Sequence, residues 1–351
     1  MTLEELKLRR LANQFLIQPT DKLTAVRALC GVQAQFMKNA VHALKIRTND
    51  ADDAAFSDGL VKNWTLRGTM HVFAREDMPL FLHERADRTY RGEDFSGRTF
   101  WNQRDCWALT PERQGALSQV ILDALREKPR TRDELKAVCR NAGMTDAEEA
   151  SLFDPWGGGV RELCERGFMH YAAREDKTFE LTERFEPLPE ETAQIELMRR
   201  YFTAYAPATV HDAMYFFRIP ARMVKRFLER LNADSFEMDG RRYYFLTMDD
   251  DVSFDLPRCR FLAGFDPLML GYEKKETPFL RTEHLRGIFN LAGIVMPAVL
   301  INGTVAGRWK RTGKALNIEW FGCVSAADRA AARDEAARLW DDLTAIKETD
   351  I

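Results

Sequence analysis

Apolar positions recur at three- and four-residue steps over the first stretch of the chain, and Leu6, Arg10, Leu11 and Phe15 open a helical series there. Leu23, Val26, Arg27 and Cys30 continue it behind the cap Pro19-Thr20-Asp21, and further helices are expected over Lys38 to Ile46 and over Asp52 to Val61, whose start is rich in acids. Gly31 stands where a left-handed C-terminal cap belongs, so the second helix should stop there and Val32 should fold back over its last turn. The rhythm then changes. In Trp64-Thr65-Leu66-Arg67-Gly68-Thr69-Met70-His71-Val72-Phe73, Trp64, Leu66 and Met70 fall on one face and Thr65, Arg67, Thr69 and His71 on the other. A strand or hairpin is predicted, with the apolar face closing the helical core and a row of hydroxyl, guanidinium and imidazole groups opposite.

Helices followed by a short β segment are the ground plan of a winged helix, and the pattern returns twice. Residues 76 to 108 read as a helix leading into an irregular connection, with Arg85, Arg88 and Arg91 at three-residue spacing. Thr110-Pro111-Glu112 restarts the chain, Arg113 to Arg126 is helical, and Pro129 to Leu135 turns into a second helix reaching about Asn141. After a polar link, Gly157-Gly158-Gly159 admits the helix Val160 to Glu165, ahead of the strand-like Phe168 to Tyr171 and Thr178 to Leu181. The glycine triplet does not fit a phosphate loop, since no Lys-Ser/Thr follows it. A third copy runs through the helices Ile195 to Tyr205, Val210 to Phe217 and Pro220 to Leu231, then a hairpin around Asp239-Gly240.

The last part is β-rich: a strand ends at Phe265-Asp266-Pro267, and Ala298 to Ile301, Asn302-Gly303 and Thr304 to Trp309 form a hairpin signal followed by Leu316 to Phe321. Ala326 to Ile346 reads as a closing amphipathic helix with Leu339, Trp340 and Leu343 on its buried side. The expected fold is α+β and mainly helical: three tandem winged-helix repeats, a small β-barrel-like domain and a closing helix. The expected boundaries are 1–108, 109–187, 188–250 and 251–351.

Composition narrows the class. At 351 residues, 45% hydrophobic and 30% charged, the chain can bury several cores. Its longest apolar run, Leu291 to Ile301, is broken by Gly293 and Pro297, too short to span a bilayer, and acids stand where a signal peptide carries bases. A cytoplasmic protein is expected. The six cysteines form no close pair, so they predict reduced, mostly buried thiols. The Asp249-Asp250-Asp251 run lacks EF-hand spacing and reads as a solvated linker, and Gly307 to Lys314 lacks the Walker spacing, so no cofactor or metal is expected. A net charge of −3 argues against indiscriminate nucleic-acid binding. Local basic stretches remain: Arg308, Lys310, Arg311 and Lys314 with no acid among them, and Arg218, Arg222, Lys225, Arg226 and Arg230 along one helix. Basic residues at such spacing are also how an ordinary wetted face looks.

Two glutamines carry the candidate chemistry. In a helix, positions i and i+2 point to nearly opposite sides, so Gln33 and Gln35 could share a target only from extended or turn backbone. The alternative is a pair of ordinary solvated amides.

The string Gly31-Val32-Gln33-Ala34-Gln35, the string WTLRGTMH and the late Phe-Asp-Pro, set among helix-hairpin repeats, resemble the AlkZ/YcaQ family of winged-helix DNA glycosylases over nearly the whole chain. Gln33-Ala34-Gln35 fits the Gln-apolar-Gln form of the AlkZ branch; the YcaQ branch has aspartate where this chain has Gln35. The resemblance implies a monofunctional DNA glycosylase that removes alkylated purines, in some members interstrand crosslinks. Gln33 and Gln35 would be catalytic. From their placement, Arg67, Thr69 and His71 are expected to grip phosphates or shape the lesion pocket, and the hairpin carrying Arg308, Lys310, Arg311 and Lys314 to follow the minor groove, with Trp64, Thr65 and Asp266 supporting the site. The partner would be double-stranded DNA bearing alkylated purines, acted on by a monomer. The alternatives are a non-catalytic winged-helix regulator and a protein that sequesters a toxic small molecule.

Overall fold

The computed structural model describes residues 1–49, 56–82, 107–154, 158–248 and 255–351. The chain forms two compact units: Met1–Asp52 together with Leu197–Ile351, and Asp53–Glu196. The first unit opens with helix α1 (Leu3–Asn13), started by a reciprocal capping box between Thr2 and Glu5. Helix α2 (Lys22–Ala28) is capped by the Asp21 carboxylate, the short strand β1 covers Val32–Gln33, and α3 spans Met37–Lys45.

The second unit begins differently from the expected fourth helix. The described part of that stretch is a turn at residues 56–59, with Gly59 at φ 71°, followed by strand β2 (Leu60–Trp64). Antiparallel pairing with β3 (Met70–Ala74) decides the conformation there, overriding the acid-rich signal upstream. Helix α4 covers only Met78–Phe81, with Pro79 inside its first turn. Helix α5 (Pro111–Glu127) is capped by Thr110, β4 is Arg130–Thr131, and α6 (Arg132–Asn141) starts from a Thr131/Glu134 capping box. A helix not expected from the sequence, α7 (Asp146–Leu152), starts from the same device at Thr145 and Glu148. Helix α8 (Gly158–Glu165) leads into the hairpin β5 (Met169–Ala172) and β6 (Thr178–Leu181). Within this unit the strands run in the order β3-β2-β5-β6-β4. Leu117, Ile121, Leu135, Cys139, Leu163, Met169 and Phe179 fill the core between helices and sheet.

Helix α9 (Glu190–Ala204) returns the chain to the first unit, where α10 (Val210–Phe217), α11 (Ala221–Arg230) and the hairpin β7 (Asp234–Met238) and β8 (Arg241–Phe245) follow. Asp239 and Gly240 both have positive φ, as a two-residue hairpin turn requires. Then come β9 (Cys259–Phe261), α12 (Pro267–Leu270), α13 (Leu285–Ile288), β10 (Ala298–Ile301), β11 (Thr304–Thr312), β12 (Ala315–Trp320), α14 (Ala326–Leu339) and β13 (Ala345–Asp350).

The structure corrects three further expectations. The closing helix stops at Leu339: acids at 341 and 342 oppose the negative end of a helix, and the chain continues as β13, paired parallel to β12. The β domain is an open sheet in the order β13-β12-β11-β10-β9, with α14 packed on β9, rather than a closed barrel. The first expected repeat is divided, its helices belonging to the first unit and its hairpin to the second, because β2 pairs with β5. Cys30, Cys139, Cys164 and Cys259 are buried free thiols, and Cys323 is an exposed one. Cys106, the arginines at 85, 88 and 91, Gly157 and the 249–251 acids lie outside the described residues. Among the described residues, no helix is long and apolar enough to cross a membrane.

Candidate functional site

The glutamines leave a helix end that is more tightly specified than a single glycine would make it. The Gly31 N–H donates to the Val26 carbonyl at 2.8 Å and the Cys30 N–H to that of Arg27 at 3.2 Å, the paired bonds of a Schellman cap. Cys30, with φ 56°, occupies the left-handed position expected for Gly31, and Gly31 is left-handed as well, at φ 79°. Helix α9 and the residue just after it pin this turn from outside: the Tyr205 hydroxyl donates to the Leu29 carbonyl at 2.9 Å, and the Cys30 thiol lies 3.7 Å from that of Leu197. The backbone is therefore redirected within two residues and emerges extended at Val32–Gln33. Gln33 is 8% exposed, whereas Gln35 sits in an exposed bend before α3. Both amides thus come from non-helical backbone, one packed and one facing solvent.

The Phe-Asp-Pro element braces the far end of α3. Asp266 and Arg47 are fully buried and joined by two hydrogen bonds, of 2.6 and 3.0 Å. Asp266 also accepts from the Leu268 N–H at 2.9 Å, capping α12, and from the Ala263 N–H at 3.2 Å. Arg47 also donates to the carbonyls of Gln14 and Ala43. The support role expected of Asp266 is thus a structural clamp in the same unit as the glutamines. Beside it, a Cβ on Gly264 would lie 2.8 Å from the Asn39 amide nitrogen and 3.2 Å from the Val295 carbonyl oxygen, so any other residue would displace the Asn39 side chain at the start of α3. Phe36 and Phe265 meet there, with ring centroids 6.2 Å apart.

The WTLRGTMH stretch lies in the second unit. Its alternation is interrupted: Leu66–Gly68 form a single tight turn with Arg67 at φ 58°, and Trp64 faces Met70 across the hairpin. The turn nevertheless gathers the polar groups. The Thr65 hydroxyl lies 2.9 Å from His71 Nδ1, and an Arg67 Nη donates to His71 Nε2 at 3.3 Å. Since arginine can only donate, Nε2 is the acceptor and the ring proton sits on Nδ1, 3.1 Å from the Thr69 carbonyl. His71 is 2% exposed rather than part of an open polar face. Burial first, and the Arg67 charge second, depress its pKa to about 3, so the ring is neutral at physiological pH. Arg161 stacks over Trp64, its guanidinium carbon 3.9 Å from the ring centre.

Of the four basic residues on β11 and the following turn, two are already committed. Arg308 is ion-paired with Glu319, and Arg311 holds Asp342 through two hydrogen bonds. Lys310 and Lys314 are exposed. The sequence shows no acid within that stretch because the partners come from β12 and from the residues after α14.

A family model described as DNA glycosylase AlkZ-like matches residues 26–341, and the chain belongs to that family of DNA glycosylases. It is 26% identical to a protein of Streptomyces sahachiroi named as an interstrand DNA cross-link repair glycosylase, over 94% of this chain and 93% of that one. The solved structure of the Streptomyces sahachiroi DNA glycosylase AlkZ has the same fold, with a TM-score of 0.77, 22% identity and full coverage of both chains.

Proposed function

We propose that this DNA glycosylase hydrolyses the N-glycosidic bond of purines made cationic by alkylation at N7 or N3, with a water held by Gln33 and Gln35. Glycosidic cleavage ordinarily needs an acid for the leaving group and a carboxylate or activated water at the sugar carbon. A cationic purine departs neutral, which removes the need for the acid. A neutral amide is too weak a base to deprotonate water, but its carbonyl oxygen can orient one and its dipole can face the developing oxocarbenium. The observation that carries the reading is the placement of the pair on redirected, non-helical backbone, with Gln35 exposed and Gln33 buried. Fixed dipoles of this kind supply on the order of ~10²-fold or more in rate.

The substrate is double-stranded DNA carrying such a lesion. Bulky adducts and interstrand crosslinks fall within the same chemistry, and the name of the Streptomyces relative favours them. Residues 109–187 and 188–250 each run helices into a hairpin, the order of a winged helix, which supports reading them as DNA-binding modules. In this reading Arg67 and Thr69 position DNA, the buried His71 holds Arg67 in place rather than touching DNA itself, Trp64 and Thr65 support them, and the tip of β11 follows the minor groove. The enzyme works as a cytoplasmic monomer without a cofactor. Incubation with duplex containing N7-methylguanine, followed by alkaline cleavage, tests the proposal: wild type should produce strand breaks and Gln35→Ala should not. Equal cleavage by both would overturn it.

A further inference from the structure

The first unit holds a second feature that the glutamine chemistry does not use. A cavity of about 390 Å³ opens beside the start of α3, and its wall includes His42, Trp309, Trp340, Met296 and the two lysines Lys38 and Lys310. The three rings form one cluster: His42 lies 5.0 Å from Trp309 and 5.5 Å from Trp340, nearly parallel to the latter, and the two indoles are 5.1 Å apart. Two of their polar edges are tied to backbone. The Trp309 indole N–H donates to the Leu262 carbonyl and His42 Nε2–H to that of Phe261, each at 2.8 Å. His42 and Trp340 are buried and stacked on each other, and the Arg311 guanidinium lies over Trp340, so the half-buried Trp309 is the ring left to receive a stacked group. Burial depresses the His42 pKa to about 4, so this ring is neutral at physiological pH. Lys38 and Lys310 are exposed cations on the same cavity.

The geometry points to a stacking site for an unpaired nucleobase, with Lys38 and Lys310 on the flanking phosphate. Aromatic faces with adjacent positive charge are the recurring means of holding single-stranded nucleic acid, since every base has a π face and every link a phosphate. The cavity falls at the small end of ligand sites, roughly 300–1,000 Å³, a size that suits one ring system rather than a peptide. Lys38 follows Gln35 by three residues, a span of at most roughly 10 Å along the backbone. A strand passing Gln35 would therefore place a base at the cavity within about three stacked nucleotides, at about 3.4 Å each. The inference rests on the reading that Gln35 acts on DNA, and it adds a specificity-determining subsite beside that residue.

The test compares two single-stranded probes on the full chain by fluorescence anisotropy: an octamer of deoxyadenylate, and an octamer of the same charge whose sugars carry no bases. Wild type should bind the first roughly 10-fold more tightly, the range seen when one base stacks on an aromatic side chain. Trp309→Ala should erase that preference and Trp309→Phe should keep most of it. Lys310→Gln should weaken both probes alike and lower the salt slope by about one. Equal binding of the two probes by wild type would overturn the inference without any variant, and so would a preference that survives Trp309→Ala in folded protein. Base release from N7-methylguanine duplex is measured alongside. Base preference without release leaves the subsite standing and removes the catalytic reading; release without preference does the reverse.

Discussion

Arg47 and Asp266, 219 residues apart in sequence, meet through two hydrogen bonds with neither side chain exposed to solvent. A buried ion pair adds little over a well-packed apolar pair, but losing one partner strands the other charge. Asp266→Ala would leave the Arg47 guanidinium without its counterion and the amides of Ala263 and Leu268 without acceptors. The expected cost is about 3–5 kcal/mol. Urea unfolding measures it, and a loss below about 1 kcal/mol would mean that the pair does not brace α3.

Acid should weaken the protein through its buried histidines. His71 and His42 have folded-state pKa values depressed to about 3 and about 4, against 6.5 for the free side chain. In both, burial is the leading cause, and neighbouring arginines add to it. The unfolded chain therefore binds more protons between those values, so stability is full above pH 6.5 and falls as pH drops toward 4 and then 3. Each histidine contributes a slope of about 1.4 kcal/mol per pH unit in its window. His71→Gln should reduce the stability difference between pH 6.5 and pH 5 by about 2 kcal/mol. Urea melts at the two pH values decide this, and an unchanged difference would show that His71 already titrates normally.

The ion pairs on β11 separate two kinds of basic residue that look alike in the sequence. Arg308 and Arg311 are held by Glu319 and Asp342, whereas Lys310 and Lys314 project from the exposed end of the hairpin. Lys314→Gln should lower the salt slope of duplex binding by about one and weaken damaged and undamaged DNA alike. Arg311→Gln should change that slope little. Binding isotherms from 50 to 200 mM salt test the pair, and a larger slope change for Arg311 than for Lys314 would reverse the assignment.

Local signals made much of this architecture legible. Thr110-Pro111, the turn into a helix at Pro129 to Leu135 and the turns Asp239-Gly240 and Asn302-Gly303 act within a few residues, and the structure forms each where the sequence placed it. The helix Asp146–Leu152 carried the same kind of signal in Thr145 and Glu148, inside a stretch read only as polar. What could not be read depends on distant partners. Val61 is strand because Phe73 and Ala172 pair with it, and residues 345–350 are strand because β12 accepts a parallel neighbour. The same applies to the site: the glutamines are visible as a motif, but the turn that aims them relies on Leu197 in α9 and Tyr205 just beyond it, more than 160 residues away.

Gln33 and Gln35 differ in exposure, and that difference separates their expected effects. Gln35 lies in a solvent-exposed bend, so removing its amide should leave folding intact and act on the transition state alone. Gln35→Ala is expected to slow single-turnover base release on the order of ~10²-fold or more while duplex binding stays unchanged. Gln33 is 8% exposed, and its truncation removes a packed polar side chain from beside the redirected turn. Gln33→Ala should therefore cost about 1–2 kcal/mol of stability in addition to slowing release, because truncation leaves the group that interacts with this buried amide unsatisfied. Single-turnover kinetics and thermal melts on the same preparations give both numbers. A Gln35→Ala enzyme that melts early, or one that releases base at the wild-type rate, would assign this residue to the scaffold and return the water to some other group.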